Sequence, residues 1–335
     1  MRPLKHVFLA VIPAAVLAVS PASAQEMTPS YQGESLLGEP MYTDDVNPTN
    51  VTDTETLLWA VGEAKAAAER DPTIDNITWY GRLLGYQTLM REAVDVFSEG
   101  LKRYPNSAKL LRHRAHRYLN LREFDRSIAD GLKAVALYEG QPLERERLGP
   151  ERLPATPDVV QFYLYYHLGG AFFAKGDYEN AAKWFYECYQ VSLVNGNAQD
   201  QAAPIYWRYL ALVRLNRIDE AREWLDRYKF KAEDLDPNGE GPFYFNAIQL
   251  FRGNRFADDY YTERDSGRPF GGSDGAKSSS AYTLANYWLM RGEREKAKVW
   301  LARAMDIDTW AYFPRIQAEV DWVNIFGDEK PQAGN

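Results

Sequence analysis

Residues 74–107 read IDNITWYGRLLGYQTLMREAVDVFSEGLKRYPNS, and residues 108–141 repeat their rhythm. Gly81, Ala93, Phe97 and Gly100 are followed 34 residues later by Ala115, Ser127, Gly131 and Ala134. All eight are small except Phe97. A fixed period of this length marks stacked helical pairs, with small residues where two helices must approach closely. Solenoids built this way present surfaces, so function is sought in the residues that line one.

Outward from the repeat, the first 24 residues stand apart. Arg2 and Lys5 form a basic start, Val7 to Val19 is apolar but too short to span a bilayer, and Ala22-Ser23-Ala24 is a small-residue cleavage site. The expected product begins near Gln25 and is periplasmic or secreted. No cysteine stands at the cleavage site for a lipid anchor, and no later apolar run is long enough for a membrane span. Without the leader, 37 Lys and Arg face 47 Asp and Glu, a net charge of −10. That balance argues against general nucleic-acid binding. Cys188 is the sole cysteine, so packing and not a disulfide must stabilise the chain.

Residues 25–52 carry Pro, Ser, Thr, Asp and Asn without helical periodicity and read as a flexible lead-in. Helical pairs then follow near 74–107, 108–141, 162–195, 202–235 and 278–311, with a degenerate pair near 240–273. A preceding helix spans Asp53 to Arg70, and PRIQAEVDWVNIF closes the array as an amphipathic capping helix before a tail at 326–335. Two insertions interrupt the period. Residues 139–160 hold charges and prolines, and residues 265–280 are Gly/Ser-rich. Each is expected to be an irregular or flexible surface loop, either a lid over the inner face or a tolerated insertion.

The chain over roughly 53–325 resembles the tetratricopeptide repeat (TPR) family. Its 34-residue unit has small residues at positions 8, 20 and 27, an aromatic at 24 and Pro at 32, matched here by Gly81, Ala93, Gly100, Phe97 and Pro105. In the third unit Gly169, Gly176, Tyr178, Ala181 and Phe185 match, and Cys188 takes a small position. The resemblance implies an all-α, right-handed superhelical solenoid whose first helices line a concave face. It also implies a non-catalytic role, binding a partner protein or peptide.

Mapped onto the concave positions, the family pattern selects Trp79, Arg82 and Tyr86, then Arg112, His113 and His116, then Tyr163, Tyr166 and His167, then Tyr206 and Trp207. No carboxylate is among them. Arg offers fork-shaped donors, and Tyr and Trp offer flat apolar area with a polar edge, so the expected occupant is an acidic peptide segment. Thr78 and Arg82 replace the Lys and Asn used by family members that bind chaperone tails, so that partner is not implied. A three-histidine zinc site is geometrically conceivable, but Arg112, Arg114 and Arg117 oppose a cation, and no metal or cofactor is expected. No phosphate loop, GxSxG or HExxH occurs. The rival reading is a glycan-binding or carbohydrate-active helical toroid, suggested by the abundance of Tyr and Trp. Such a toroid needs a carboxylate pair that the inner positions lack. Self-association through the same face also remains open.

Overall fold

The computed structural model describes residues 29–43, 52–153, 159–195, 198–235, 241–260, 274–327 and 329–331. The expected leader at 1–24 and residues 265–273 of the second insertion lie outside the described residues. What is described is an all-α solenoid of antiparallel helix pairs with one small hairpin at its start.

The helices begin and end where local chemistry requires. Asp53 accepts a hydrogen bond from the Thr56 amide and caps α1 (Thr54–Arg70), and Thr73 does the same for α2 (Ile74–Tyr86) through the Asn76 amide. Pro105 lies just beyond α3 (Met90–Arg103), and Ser107 caps α4 (Ala108–Asn120). α5 (Phe124–Tyr138), α6 (Val160–Ala174), α7 (Tyr178–Asn195), α8 (Ala198–Arg214) and α9 (Ile218–Leu225) complete the second to fourth pairs. The degenerate unit contributes α10 (Gly241–Phe251) and the single turn α11 (Ala257–Tyr260); its residues 261–273 are outside the described set. α12 (Asp274–Leu289), α13 (Arg294–Met305) and α14 (Phe313–Phe326) finish the chain. The Gly/Ser-rich segment was expected to be loop as far as 280, yet α12 begins at Asp274. Its small side chains are tolerated because Ser278 is buried and donates to the Ala304 carbonyl of α13.

The 34-residue echo has a direct packing cause. A Cβ placed on Gly81 would lie 2.4 Å from the Phe97 ring, and one on Gly169 would lie 2.9 Å from the Phe185 ring. Each Gly lets the aromatic of the second helix press against the backbone of the first. Phe97 and Phe185 are fully buried, worth about 1.5–3 kcal/mol each. In the second pair Gly131 replaces the aromatic, and Leu168 of the next unit fills the space against it.

Within the lead-in, residues 31–42 form a hairpin packed on the helices. Strands β1 (Tyr31–Glu34) and β2 (Pro40–Tyr42) pair antiparallel. Arg91 of α3 donates its backbone amide to Gln32 Oε1 and its Nε to the Gln32 carbonyl, both at 2.8 Å. Met41 enters a cluster with Met90, Val94, Tyr118, Leu121 and Trp310. Trp310 Nε1 donates to the Tyr42 carbonyl, and the Leu36 amide donates to Glu319 of α14. The hairpin therefore joins the first pairs to the C-terminal segment.

Candidate functional site

First helices of successive pairs adjoin, α2 with α4, α4 with α6, α8 with α10 and α10 with α12, which aligns their inward residues. The expected residues do converge there. They do not form an empty groove, because two other segments of the chain fill it.

Over the first two pairs the filling segment is residues 141–153 of the first insertion. Trp79 Nε1 donates to the Arg147 carbonyl at 2.9 Å, and Gly149 lies on the Trp79 ring so closely that a Cβ would come within 2.6 Å. Lys109 Nζ reaches Glu144 at 2.6 Å, Asp75 at 2.9 Å and Glu146 at 3.6 Å. Glu146, with its side chain 1% exposed, accepts a 2.6 Å hydrogen bond from His113 Nε2, while Arg112 Nη1 stands 2.6 Å from His113 Nδ1. These contacts fit a neutral imidazole that donates to Glu146 and accepts from Arg112. Burial, reinforced by Arg112, holds the His113 pKa well below its ordinary value. Burial alone would raise the Glu146 carboxyl, but His113, Arg112 and Arg82 together bring it well below the usual carboxylate range.

Next to this lies a cationic cluster. Arg82 stacks over Trp79 at 4.4 Å and donates to the Tyr86 hydroxyl; Arg112 stacks over Tyr163 at 5.3 Å. Arg117 donates to His116 Nδ1 at 2.8 Å and to the Met90 sulfur at 3.4 Å. Burial, with Arg112 and Arg82 nearby, pushes its guanidinium down to about 9. His116 and His167 stack at 3.7 Å, with Tyr163 and Tyr166 against His167. Burial and the neighbouring arginines depress both imidazoles well below their ordinary pKa.

Farther along, α14 occupies the inner face. Phe313 sits 4.5 Å from the Trp207 ring and rests on Gly170 of α6, where a Cβ would come within 2.4 Å. Trp207 Nε1 donates to the Tyr166 hydroxyl, and the Tyr206 hydroxyl meets Thr283 at 2.9 Å. Tyr206 and Trp207 are each 1% exposed, Trp207 beneath Phe313 of α14 and Tyr206 against Phe243, Tyr244, Phe251 and Thr283, so neither is open to a partner in this arrangement. Trp79, Arg82, Arg112 and His113 are also buried, beneath the insertion or beside it. Tyr86, His116, Tyr163, Tyr166 and His167 are half-buried.

Sequence reasoning missed the residues that complete the face. Glu144 and Glu146 looked like charges of a solvated loop. Asp321 and Glu319 lay in the capping helix, where an acid flanked by Val320 and Trp322 was the available signal. Glu319 meets Arg122 at 2.6 Å, and Asp321 meets Arg214 at 2.8 Å.

The tetratricopeptide repeat family profile matches residues 162–194, the pair α6 and α7. A search of curated proteins finds no match. Among solved structures, the chain is similar to YrrB, described as "a TPR protein with an unusual peptide-binding site", at 14% identity and TM-score 0.40, covering 74% of this chain and 93% of that one. It is similar to BtubC (BKLC) from P. vanneervenii at 14% identity and TM-score 0.42, covering 83% and 93%. A tetratricopeptide repeat protein from Parabacteroides merdae gives 15% identity and TM-score 0.43, covering 79% and 93%.

Proposed function

We propose, from the premise that this chain is a tetratricopeptide-repeat protein and so a protein-interaction scaffold, that it is exported and binds an acidic, extended segment of a partner on its inner face. One observation carries this reading. The inner helices supply Arg112, His113 and Arg214, and the acids that meet them come from outside those helices, Glu146 from the insertion and Asp321 from α14. The face thus already selects carboxylates twice within its own chain. Aromatic surface beside the first cation, half-buried Tyr163 against Arg112, adds flat area for a peptide backbone. Binding requires no chemistry; preformed shape and a few Arg and aromatic anchors suffice.

Two experiments test it. A photo-crosslinking amino acid in place of Tyr163, in the chain expressed with its leader, is expected to label partner segments rich in Asp and Glu. Adducts confined to basic or apolar segments would overturn the reading. Mass spectrometry of the exported product is expected to find Gln25 at its start; an intact Met1 in the cytoplasm would refute the export.

A further inference from the structure

The two acidic segments on the inner face are held in different ways. α14 is built into the core through Ile316, Ala318, Val320, Trp322 and Phe326, all buried, and Asp321 is one charge among many apolar contacts. Residues 141–153 bury a single side chain, Glu146. Gln141, Pro142, Leu143, Arg145, Arg147, Leu148, Glu151 and Arg152 are exposed, Leu148 by 65%. Polar contacts dominate its attachment: Glu144 and Glu146 to Lys109 and His113, the Arg147 carbonyl to Trp79, the Val160 amide to the Glu144 carbonyl, and Gln161 to the Glu144 amide and Pro142 carbonyl. At its end Leu153, against the cluster around Trp79, and Arg152, 4.6 Å over the Trp59 ring, add apolar contact. A stretch with few buried apolar side chains opens far more readily than a packed helix.

We propose that residues 141–153 are a displaceable strap, a built-in competitor that covers a site for an acidic extended segment formed by Trp79, Lys109, Arg112 and His113. This rests on the acidic-segment reading above and specifies both its ligand and its regulation. Near Arg145 the strap is extended, forming an antiparallel bridge with Val159. In extended chain, residues two apart share a face, so Glu144 and Glu146 turn inward together while Arg145 and Arg147 stay exposed. Three residues on, Gly149 lets the backbone lie flat on Trp79. A competing segment must therefore offer acids at two alternate positions and then a residue with no side chain, the pattern Glu-x-Glu-x-x-Gly. Being tethered, the strap acts at an effective concentration on the order of mM, so a weak free segment cannot enter unless the strap opens.

The probe is a fluorescent synthetic peptide of residues 141–153, titrated by anisotropy against the full chain and against a Glu144→Ala, Glu146→Ala variant. The variant is expected to bind it at least about tenfold more tightly than the unmodified chain, which still holds its tethered competitor. A peptide with the same two alanines should not bind, and one with Gly149→Val should bind about tenfold more weakly. Equal affinity of both proteins would overturn the strap while leaving the acidic-segment reading intact; failure of every acidic peptide on both proteins would overturn that reading too. Hydrogen exchange on the unmodified chain is a second measure, free of any folding defect in the variant. Amides of 143–149 are expected to exchange much faster than those of α4 and α6, and exchange as slow as α4 would contradict the proposal.

Discussion

Arg214 and Asp321, 107 residues apart, form a two-pronged ion pair at 2.9 and 2.8 Å that fastens α14 to the inner end of α8. Tyr282 donates a third bond to the same carboxylate at 2.9 Å, and Asn286 accepts from Arg214 at 2.8 Å. The pair ties the C-terminal helix to the inner face. Removing one member leaves a shielded charge without its counterpart. Asp321→Ala is expected to destabilise the fold by about 3–5 kcal/mol in urea unfolding, with Asp321→Asn intermediate.

Gly170 tests the seat of the same helix from the other side. Phe313 fills the place a Cβ would need. Gly170→Ala should force Phe313 off α6 at a cost of about 1–3 kcal/mol, with faster hydrogen exchange across residues 313–326 and little change in α2 or α3.

Each turn between the two helices of a pair contains one residue with positive φ: Thr88, Arg122, Gly176, Asn216, Gly253 and Gly292. Glycine would suit all six backbones. At Arg122 the side chain outweighs that preference, because it donates to Glu319, the Asn120 carbonyl and the Trp310 carbonyl. Arg122→Gly removes about 1–2 kcal/mol of left-handed strain. It gives up a buried ion pair worth about 3–5 kcal/mol when broken from one side, so a net loss near 2 kcal/mol is expected. Asn216→Gly, at a residue type that tolerates this region, should change stability by less than about 1 kcal/mol. Melting of the two variants side by side checks the contrast.

Stability should fall as pH drops below about 6.5. His113, His116 and His167 are held neutral in the folded chain, by burial first and by neighbouring arginines second. The unfolded chain takes up protons there that the folded chain refuses, so unfolding is favoured by up to about 1.4 kcal/mol per pH unit per ring. Glu146, held low in the fold, adds its own loss only at more acid pH. Melting temperature is expected to decline from pH 7 to pH 5, with a slope shallower by about one proton in His167→Phe.

The sequence made the pairing legible because Gly81 against Phe97 and Gly169 against Phe185 are local contacts at fixed spacing. The family pattern placed Trp79, Arg112, Tyr166 and Trp207 on the inner side of α2, α4, α6 and α8. It carried no information on what covers that side, which depends on Glu146, Gly149 and Phe313 returning from distant segments. The turn residues escaped notice because Thr88 and Arg122 lack the usual glycine. The hairpin escaped because strands of three and four residues carry too short an alternation to register, and Gln32 and Thr43 are polar residues that are nonetheless buried.

The inner face is proposed to select acidic extended segments. Affinity selection of a random peptide library on the full chain carrying Glu144→Ala and Glu146→Ala, which frees the face of the insertion's acids, tests this most directly when repeated with Arg112→Gln added. The expected result is enrichment of Asp and Glu at alternate positions, lost when Arg112→Gln is added. Enrichment of neutral or basic peptides, or acidic enrichment unchanged by Arg112→Gln, would contradict it.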